Sequence, residues 1–209
     1  MRMIGPDFAL FIVGALLFAG ATYGLVVSEN GLGGSGGSSN VNTFNVAWKL
    51  SEQTSDVGTM TEGAGALDKV STVNGTGIEK VVFVISCNDP NPARAQVPFV
   101  YTVEITQVPE GVTAPAAMEG VSCGPHEMVV PVQPRPKDSQ VNAGDAATAK
   151  TEAAKLTNST GSGDYGISIV GNNRAGPPLG GGALKATVTV QIKVVTYAAE
   201  VTPVNVVGK

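Results

Sequence analysis

Three side chains that can bind a transition metal lie within the six residues Cys123-Gly-Pro-His126-Glu-Met128. A cysteine thiolate, an imidazole and a thioether are together the ligand types of copper electron-transfer sites. Such a site needs a second histidine, whereas His126 is the one histidine of the sequence. The competing interpretation is a surface histidine beside a disulfide-bonded cysteine.

This segment resembles the ligand loop of cupredoxins, in which cysteine, histidine and methionine on one loop bind copper. The resemblance would imply a copper centre at Cys123, His126 and Met128. The cupredoxin loop lies near the end of its domain, whereas about 80 residues follow Met128 here. We therefore expect no bound metal and no cofactor.

Other catalytic or metal-binding patterns are weaker still. A serine hydrolase would have to use His126 as its base, and the sequence has no G-x-S-x-G motif. Zinc sites need more cysteine and histidine than this chain has. Four aspartates in or beside predicted loops are of the type that binds calcium, but they lack EF-hand spacing: Asp89, Asp138, Asp145 and Asp164. The sequence thus predicts a protein that is not an enzyme.

Cys87 and Cys123 are the two cysteines of the chain. In a domain outside the cytosol, such a pair is expected to form one disulfide. It would close a loop of about 37 residues and contribute roughly 3–4 kcal/mol in the chain-entropy treatment. Two buried free thiols are the alternative.

Two N-glycosylation sequons occur, Asn74-Gly-Thr76 and Asn158-Ser-Thr160. Both fall in predicted loops, where glycan acceptors normally lie. We therefore predict Asn74 and Asn158 as glycosylation sites of an exported protein.

The N-terminal region contains an uncharged apolar segment, Phe8–Val27. Twenty helical residues rise roughly 30 Å, which matches the hydrocarbon core of a bilayer. Gly20 and Gly24 have the G-x-x-x-G spacing that lets helices pack closely, and we predict them as helix-packing residues. A cleaved signal peptide is the competing interpretation.

This segment divides the chain into three predicted parts. Residues 1–30 form an apolar helix that is a membrane anchor or a filament core, and residues 31–40 form a Gly/Ser linker. Residues 41–209 form the outer domain. Arg2 before the helix and Glu29 after it place the outer domain on the extracellular side by the positive-inside rule.

Composition and charge narrow the class of partner. The formal net charge is −4, and the 13 Lys and Arg residues are scattered rather than clustered. Because a nucleic-acid-binding surface needs a basic patch, we expect no nucleic-acid partner.

Alternating apolar residues predict an all-β outer domain. Asp145 is a good N-cap for the one predicted helix of that domain, 145–156, which has a weak apolar face and should lie on the surface. The predicted strands are 41–50, 78–87, 96–108, 128–132, 165–170 and 185–197, and residues 201–207 are a last strand or a tail. Loops are predicted at 51–68, 88–93, 109–118, 133–142 and 172–182. About seven strands with turns between them predict an antiparallel β-sandwich of the immunoglobulin or jelly-roll type.

The layout of Phe8–Val27 followed by a β-rich domain resembles archaeal type IV pilin-like and archaellin-like subunits. In that family the N-terminal helices pack into a filament core and the β-domains coat it. The resemblance implies a structural subunit of a cell-surface filament or envelope assembly, with copies of itself or other envelope proteins as partners. The alternative is a single-pass membrane accessory protein whose sandwich binds another envelope, archaellum, virion or membrane-complex component.

Overall fold

The computed structural model describes residues 41–90, 98–172 and 185–204 of the chain. The apolar segment Phe8–Val27, the pair Gly20 and Gly24, and the linker 31–40 lie outside the described residues. The described elements are β1 (Asn42–Thr61), β2 (Ala66–Val73), β3 (Ile78–Asn88), β4 (Val100–Gln107), β5 (Met118–Ser122), β6 (Pro125–Pro131), β7 (Ser139–Ala143), α1 (Ala146–Ala154), β8 (Gly163–Gly171) and β9 (Thr187–Pro203).

The nine described strands form two antiparallel sheets. The five-stranded sheet has the order β6-β3-β9-β1-β7, and the four-stranded sheet has the order β2-β8-β4-β5. Every pairing between neighbouring strands is antiparallel. Side chains from both sheets meet in one large apolar core. The predicted all-β, sandwich-like architecture is therefore confirmed.

The main core follows the predicted alternation along the central strands. On β4, every second residue is buried: Phe99 just before it, then Tyr101, Val103 and Ile105. The same alternation buries Val81, Phe83 and Ile85 on β3 and Tyr165, Ile167 and Ile169 on β8; Ile78 and Val82 of β3 are buried as well. Each of these strands has one face toward the opposite sheet, so period-two patterning was a reliable guide to them.

Strand β9 is a single long strand that changes the face it buries. Its first half points Val188, Val190 and Ile192 into the main core. Its second half points Tyr197 to the other face of the sheet, where it joins a cluster with Ala153 of α1. The change of parity occurs at Val194 and Val195: Val194 is half-buried beside the main core, and Val195 is buried.

The residues from Val201 continue β9 rather than forming a separate strand. Val201, Thr202 and Pro203 pair with Val46, Asn45 and Phe44 of the same domain. The prediction that the strand at 185–197 ends before a separate last strand or tail is therefore wrong, because β9 runs without a break to Pro203. Residues 205–207 lie outside the described residues.

The predicted helix is confirmed as α1. The carboxylate of Asp145 accepts a hydrogen bond from the Thr148 N–H at 2.7 Å, as an N-cap residue should. Ala149 and Ala153 are buried against the five-stranded sheet, and the other residues of the helix are exposed. Their small side chains let the helix lie close to the strands, and so α1 covers the face that the second half of β9 presents.

The predicted loop 51–68 is wrong, because β1 continues to Thr61 and β2 starts at Ala66. Residues from Ser51 to Thr61 pair with β9, with one register shift between Asp56 and Gly58. Leu50 is 48% exposed. Residues 51–56 are exposed on both faces, so their strand conformation comes from pairing with β9, whereas Met60 near the end of β1 is buried in the main core.

Two short strands were also not predicted. Strand β5 pairs with β4, and strand β7 pairs with the start of β1 inside the predicted loop 133–142. The predicted strand 128–132 is found as β6, displaced toward the N-terminus and bounded by Pro125 and Pro131. Each of these strands is an edge strand, for which the sequence signal is weakest.

Candidate functional site

Cys87 and Cys123 form a disulfide, which confirms the predicted pairing. Their Cα atoms are 4.9 Å apart. Cys87 lies near the end of β3, and Cys123 lies in the turn from β5 to β6, where the chain passes from one sheet to the other. The Cys87 N–H also donates to the Gly124 carbonyl at 3.3 Å. The bridge therefore ties the crossover between the sheets to a central part of the fold.

The disulfide removes the copper interpretation of the Cys123–Met128 segment. Cys123 has no thiolate to offer, since its sulfur is bonded to Cys87. Met128 is 3% exposed and belongs to the main core. His126 Nε2 lies 3.0 Å from the Ser122 carbonyl oxygen, and its ring contacts the Tyr101 ring edge-on. All three side chains thus have structural partners.

The aspartates considered for calcium are also dispersed and engaged. Asp138 accepts a hydrogen bond from the Trp48 N–H, Asp145 caps α1, and Asp164 accepts one from the Thr72 hydroxyl at 2.6 Å. Over the ranges 41–90, 98–172 and 185–204, no three His, Cys, Asp or Glu residues are grouped as a metal site would require. These carboxylates stabilise turns and strand ends of the domain.

The two sequons lie side by side at one end of the sandwich. Asn74 is exposed in the connection between β2 and β3, and Asn158 is exposed between α1 and β8. The Gly77 N–H donates to the Asn158 carbonyl at 3.0 Å, so the two loops are in contact. The Asn158 side-chain oxygen accepts from the Thr160 N–H at 2.9 Å.

A small cleft contains two polar atoms that lack partners. Glu79 and Gln133 both line a cleft of about 350 Å³ beside the end of β6. Glu79 Oε2 and Gln133 Nε2 are each buried without a hydrogen-bond partner in the described part of the chain. Burial raises the pKa of Tyr197, and the nearby Glu79 carboxylate raises it further. Because both atoms are buried, neither is offered at the open surface of the cleft.

The free side of β1 is the surface feature that sequence reasoning missed. Strand β7 covers β1 only from Asn42 to Val46, whereas β9 pairs with β1 as far as Thr61. Leu50–Asp56, which we call the β1 edge, is exposed at every residue. Within the described residues, no strand pairs with its outer side. After Leu50 this segment is a run of polar residues without apolar alternation, so its sequence did not predict a strand. It contains no proline, which is compatible with a strand.

No helix in the described ranges has the length and apolarity to cross a membrane. The predicted apolar helix at residues 8–27, with Gly20 and Gly24, lies outside the described residues and is not tested by this finding.

Comparisons with known proteins add little to this geometry. No protein-family model matches the sequence, and no curated protein matches it. Among solved structures, the chain is similar to a chain of a nora virus structure, with 10% identity and a TM-score of 0.28. The match covers 78% of this chain and 61% of that chain, so this chain spans about three fifths of its length. A similarity of this size carries no argument about fold or function.

Proposed function

We propose that this chain is a structural subunit of a cell-surface filament or envelope assembly. The apolar segment Phe8–Val27 packs among lipids or among copies of itself, with Gly20 and Gly24 at the contact. The β-sandwich is exposed on the extracellular side. The layout of an apolar segment followed by a β-rich domain resembles that of archaeal pilin-like subunits.

The observation that carries the proposal is the Cys87–Cys123 disulfide. Structural disulfides persist in oxidising compartments and are rare in the cytosol. A disulfide-bonded domain behind an uncharged 20-residue segment fits an exported protein that stays attached to the envelope. The adjacent exposed sequons, Asn74 and Asn158, fit the same location and are proposed as glycan acceptors.

A membrane accessory protein is the second candidate, and the β1 edge favours it. An extended segment of another protein can add to a free sheet edge through main-chain hydrogen bonds. In that role the apolar segment anchors a single copy, and the sandwich binds another envelope component.

Electron microscopy and membrane flotation of the full chain from its native source test the proposal. Filaments or ordered arrays are expected, and Gly20→Leu with Gly24→Leu should weaken them by adding bulk at the helix contact. Gly14→Leu is the control, because it adds the same bulk roughly 100° around a helix from that pair. Dispersed single copies that float with membrane would favour the accessory protein. A secreted product that begins after the apolar segment would contradict both candidates.

A further inference from the structure

Side-chain hydrogen bonds divide the asparagines of the described residues into two groups. Most of these asparagines have a side-chain hydrogen bond to another residue, namely Asn42, Asn45, Asn142, Asn158 and Asn172. Over the ranges 41–90, 98–172 and 185–204, the side chains of Asn74 and Asn88 have none. The side-chain amides of these two residues are therefore free to change conformation.

Asn74 and Asn88 differ in their backbone setting. Asn88 is the last residue of β3, pairs with Thr187 of β9 and is followed by an aspartate. Asn74 is followed by Gly75, and the pairing of β2 with β8 ends at Val73, one residue before it. Both asparagines are exposed. Asn74 is thus the asparagine of the described ranges that is least held in both side chain and backbone.

Gly75 gives Asn74 a neighbour whose backbone nitrogen is accessible. Gly75 has φ +147°, and a Cβ added there would meet no atom within 4 Å. Within the described part of the chain, the Gly75 N–H donates to no carbonyl and to no side chain. Because glycine has no side chain and adopts conformations that other residues avoid, its nitrogen can approach the Asn74 side chain without breaking a hydrogen bond.

The chain on both sides of this pair is fixed. Val73 pairs with Gly163, and its carbonyl accepts from the Ser162 hydroxyl at 3.2 Å. The Gly77 N–H donates to the Asn158 carbonyl, and the Gly77 carbonyl accepts from the Tyr197 N–H at 2.8 Å. The connection 74–76 can therefore change while β2 and β3 keep their pairing.

We propose that Asn74 is a site of spontaneous deamidation in the folded domain. The Gly75 nitrogen loses its proton to hydroxide and forms a bond to Asn74 Cγ. The Cγ–Nδ2 bond breaks, and ammonia leaves after taking a proton from water, which gives a five-membered succinimide. Water then opens the ring at either carbonyl to give aspartate or isoaspartate. The net reaction consumes water and releases ammonia, and no atom is oxidised or reduced.

Deamidation and N-glycosylation of Asn74 exclude each other, because both act at Nδ2. A glycan is attached through this nitrogen, and a carboxylate at position 74 has no nitrogen to accept one. Each deamidation also adds a negative charge to the chain at neutral pH. The inference concerns the folded domain alone, so it does not depend on the proposed function.

Peptide mapping of the full chain in detergent, produced without glycosylation, tests the proposal. The protein is kept at mildly alkaline pH and sampled over time. Trypsin cleavage after Lys69 and Lys80 releases residues 70–80, in which Asn74 is the one asparagine and glutamine is absent. Deamidation raises the mass of this peptide by about one dalton. Labelling by an isoaspartyl methyltransferase detects the isoaspartate product.

Asn158 is the internal control, because it is exposed, precedes a serine and has its side-chain oxygen held by the Thr160 N–H. Asn74 should deamidate at least about ten-fold faster than Asn158, which corresponds to a barrier lower by about 1.4 kcal/mol or more. The rate at Asn74 in the folded chain should also lie within about ten-fold of the rate in the free peptide 70–80. A larger retardation by the fold would overturn the claim that the structure leaves this pair free.

Gly75→Ala should slow deamidation of Asn74 by at least about ten-fold, because a Cβ beside the attacking nitrogen hinders its approach. Gly111→Ala is the matched control, since Gly111 also has positive φ and open space, and it should leave the rate unchanged. Asn74→Gln should abolish the mass gain. Far-UV circular dichroism verifies that the variants are folded, and the comparison of Asn74 with Asn158 in the wild-type chain needs no variant.

Equal rates at Asn74 and Asn158 overturn the proposal, as does an unchanged rate in folded Gly75→Ala.

Discussion

The indole ring of Trp48 contacts the ring of Tyr197 edge-on, with centroids 5.4 Å apart and an interplanar angle of 89°. The two residues lie on neighbouring strands, on the face of the five-stranded sheet that α1 covers. The indole N–H donates to the Lys137 carbonyl at 3.3 Å, which also ties the segment before β7 to this cluster. Edge-on aromatic pairs add about 0.5–1.5 kcal/mol beyond the burial of their area.

Trp48→Ala should lower the free energy of unfolding by about 3–5 kcal/mol, since it removes a large side chain from this second core. Urea denaturation followed by far-UV circular dichroism measures the change. Leu50→Ala on the same strand is the control, and it should change stability by less than about 0.5 kcal/mol because Leu50 is 48% exposed. Equal effects of the two substitutions would mean that the second core contributes nothing specific.

Removing the disulfide should also destabilise the domain. Cys87→Ala combined with Cys123→Ala is expected to lower the free energy of unfolding by about 2–4 kcal/mol, because the unfolded chain regains the freedom that the bridge removes. The wild-type protein in reductant should unfold at nearly the same urea concentration as the double variant. An unchanged midpoint in reductant would contradict the prediction.

Two glycines with positive φ should respond differently to alanine. Gly161 has φ +84°, and a Cβ there would collide with the Val132 side chain and lie 3.2 Å from the Tyr165 hydroxyl. Gly111 has φ +79° but open space around it. Gly111→Ala should cost about 1–2 kcal/mol from backbone strain alone. Gly161→Ala should cost roughly 1–3 kcal/mol more, from overpacking, in the same urea assay; equal losses would contradict the packing argument.

Stability should fall at alkaline pH because of buried tyrosines. Burial raises the pKa of Tyr165 to about 12, from the ordinary tyrosine value of 10.0. The neutral phenol donates to the Gly161 carbonyl at 2.9 Å. Because the pKa is higher in the folded state, this contribution is complete below pH 10 and is lost as the pH rises through about 12.

Urea denaturation at several pH values from 9 to 12 measures this loss, with tyrosinate absorbance as the direct readout. Tyr165→Phe should make the fall in stability with pH shallower. A residual slope is expected, since burial also raises the pKa of Tyr101 and Tyr197. An identical pH dependence in Tyr165→Phe would show that Tyr165 does not titrate in this range.

Sequence patterning succeeded wherever a strand buries one face. The alternation at β3, β4 and β8 predicted their core residues, and Asp145 marked the start of α1. Prediction failed from Ser51 to Thr61, because residues 51–56 are exposed and their strand conformation is set by pairing with β9. It also failed at β5 and β7, which are five-residue edge strands paired with β4 and β1.

The candidate site was predictable only in part. The disulfide could be predicted because two cysteines allow one pairing. The contact between the Asn74 and Asn158 loops and the pairing state of β1 could not be predicted, since both depend on which strands become neighbours in the sheets. The apolar segment with Gly20 and Gly24 remains a prediction.

By itself the sequence determined the class of the outer domain, its covalent cross-link and the position of α1, because period-two burial, cysteine count and helix capping are properties of short segments. The tertiary structure alone decided the strand order, the change of buried face at Val194 and Val195, and the free edge of β1. Val194 and Val195 are both apolar, so the local pattern is consistent with either face. Only the positions of α1 and the second sheet determine which face each half of β9 buries.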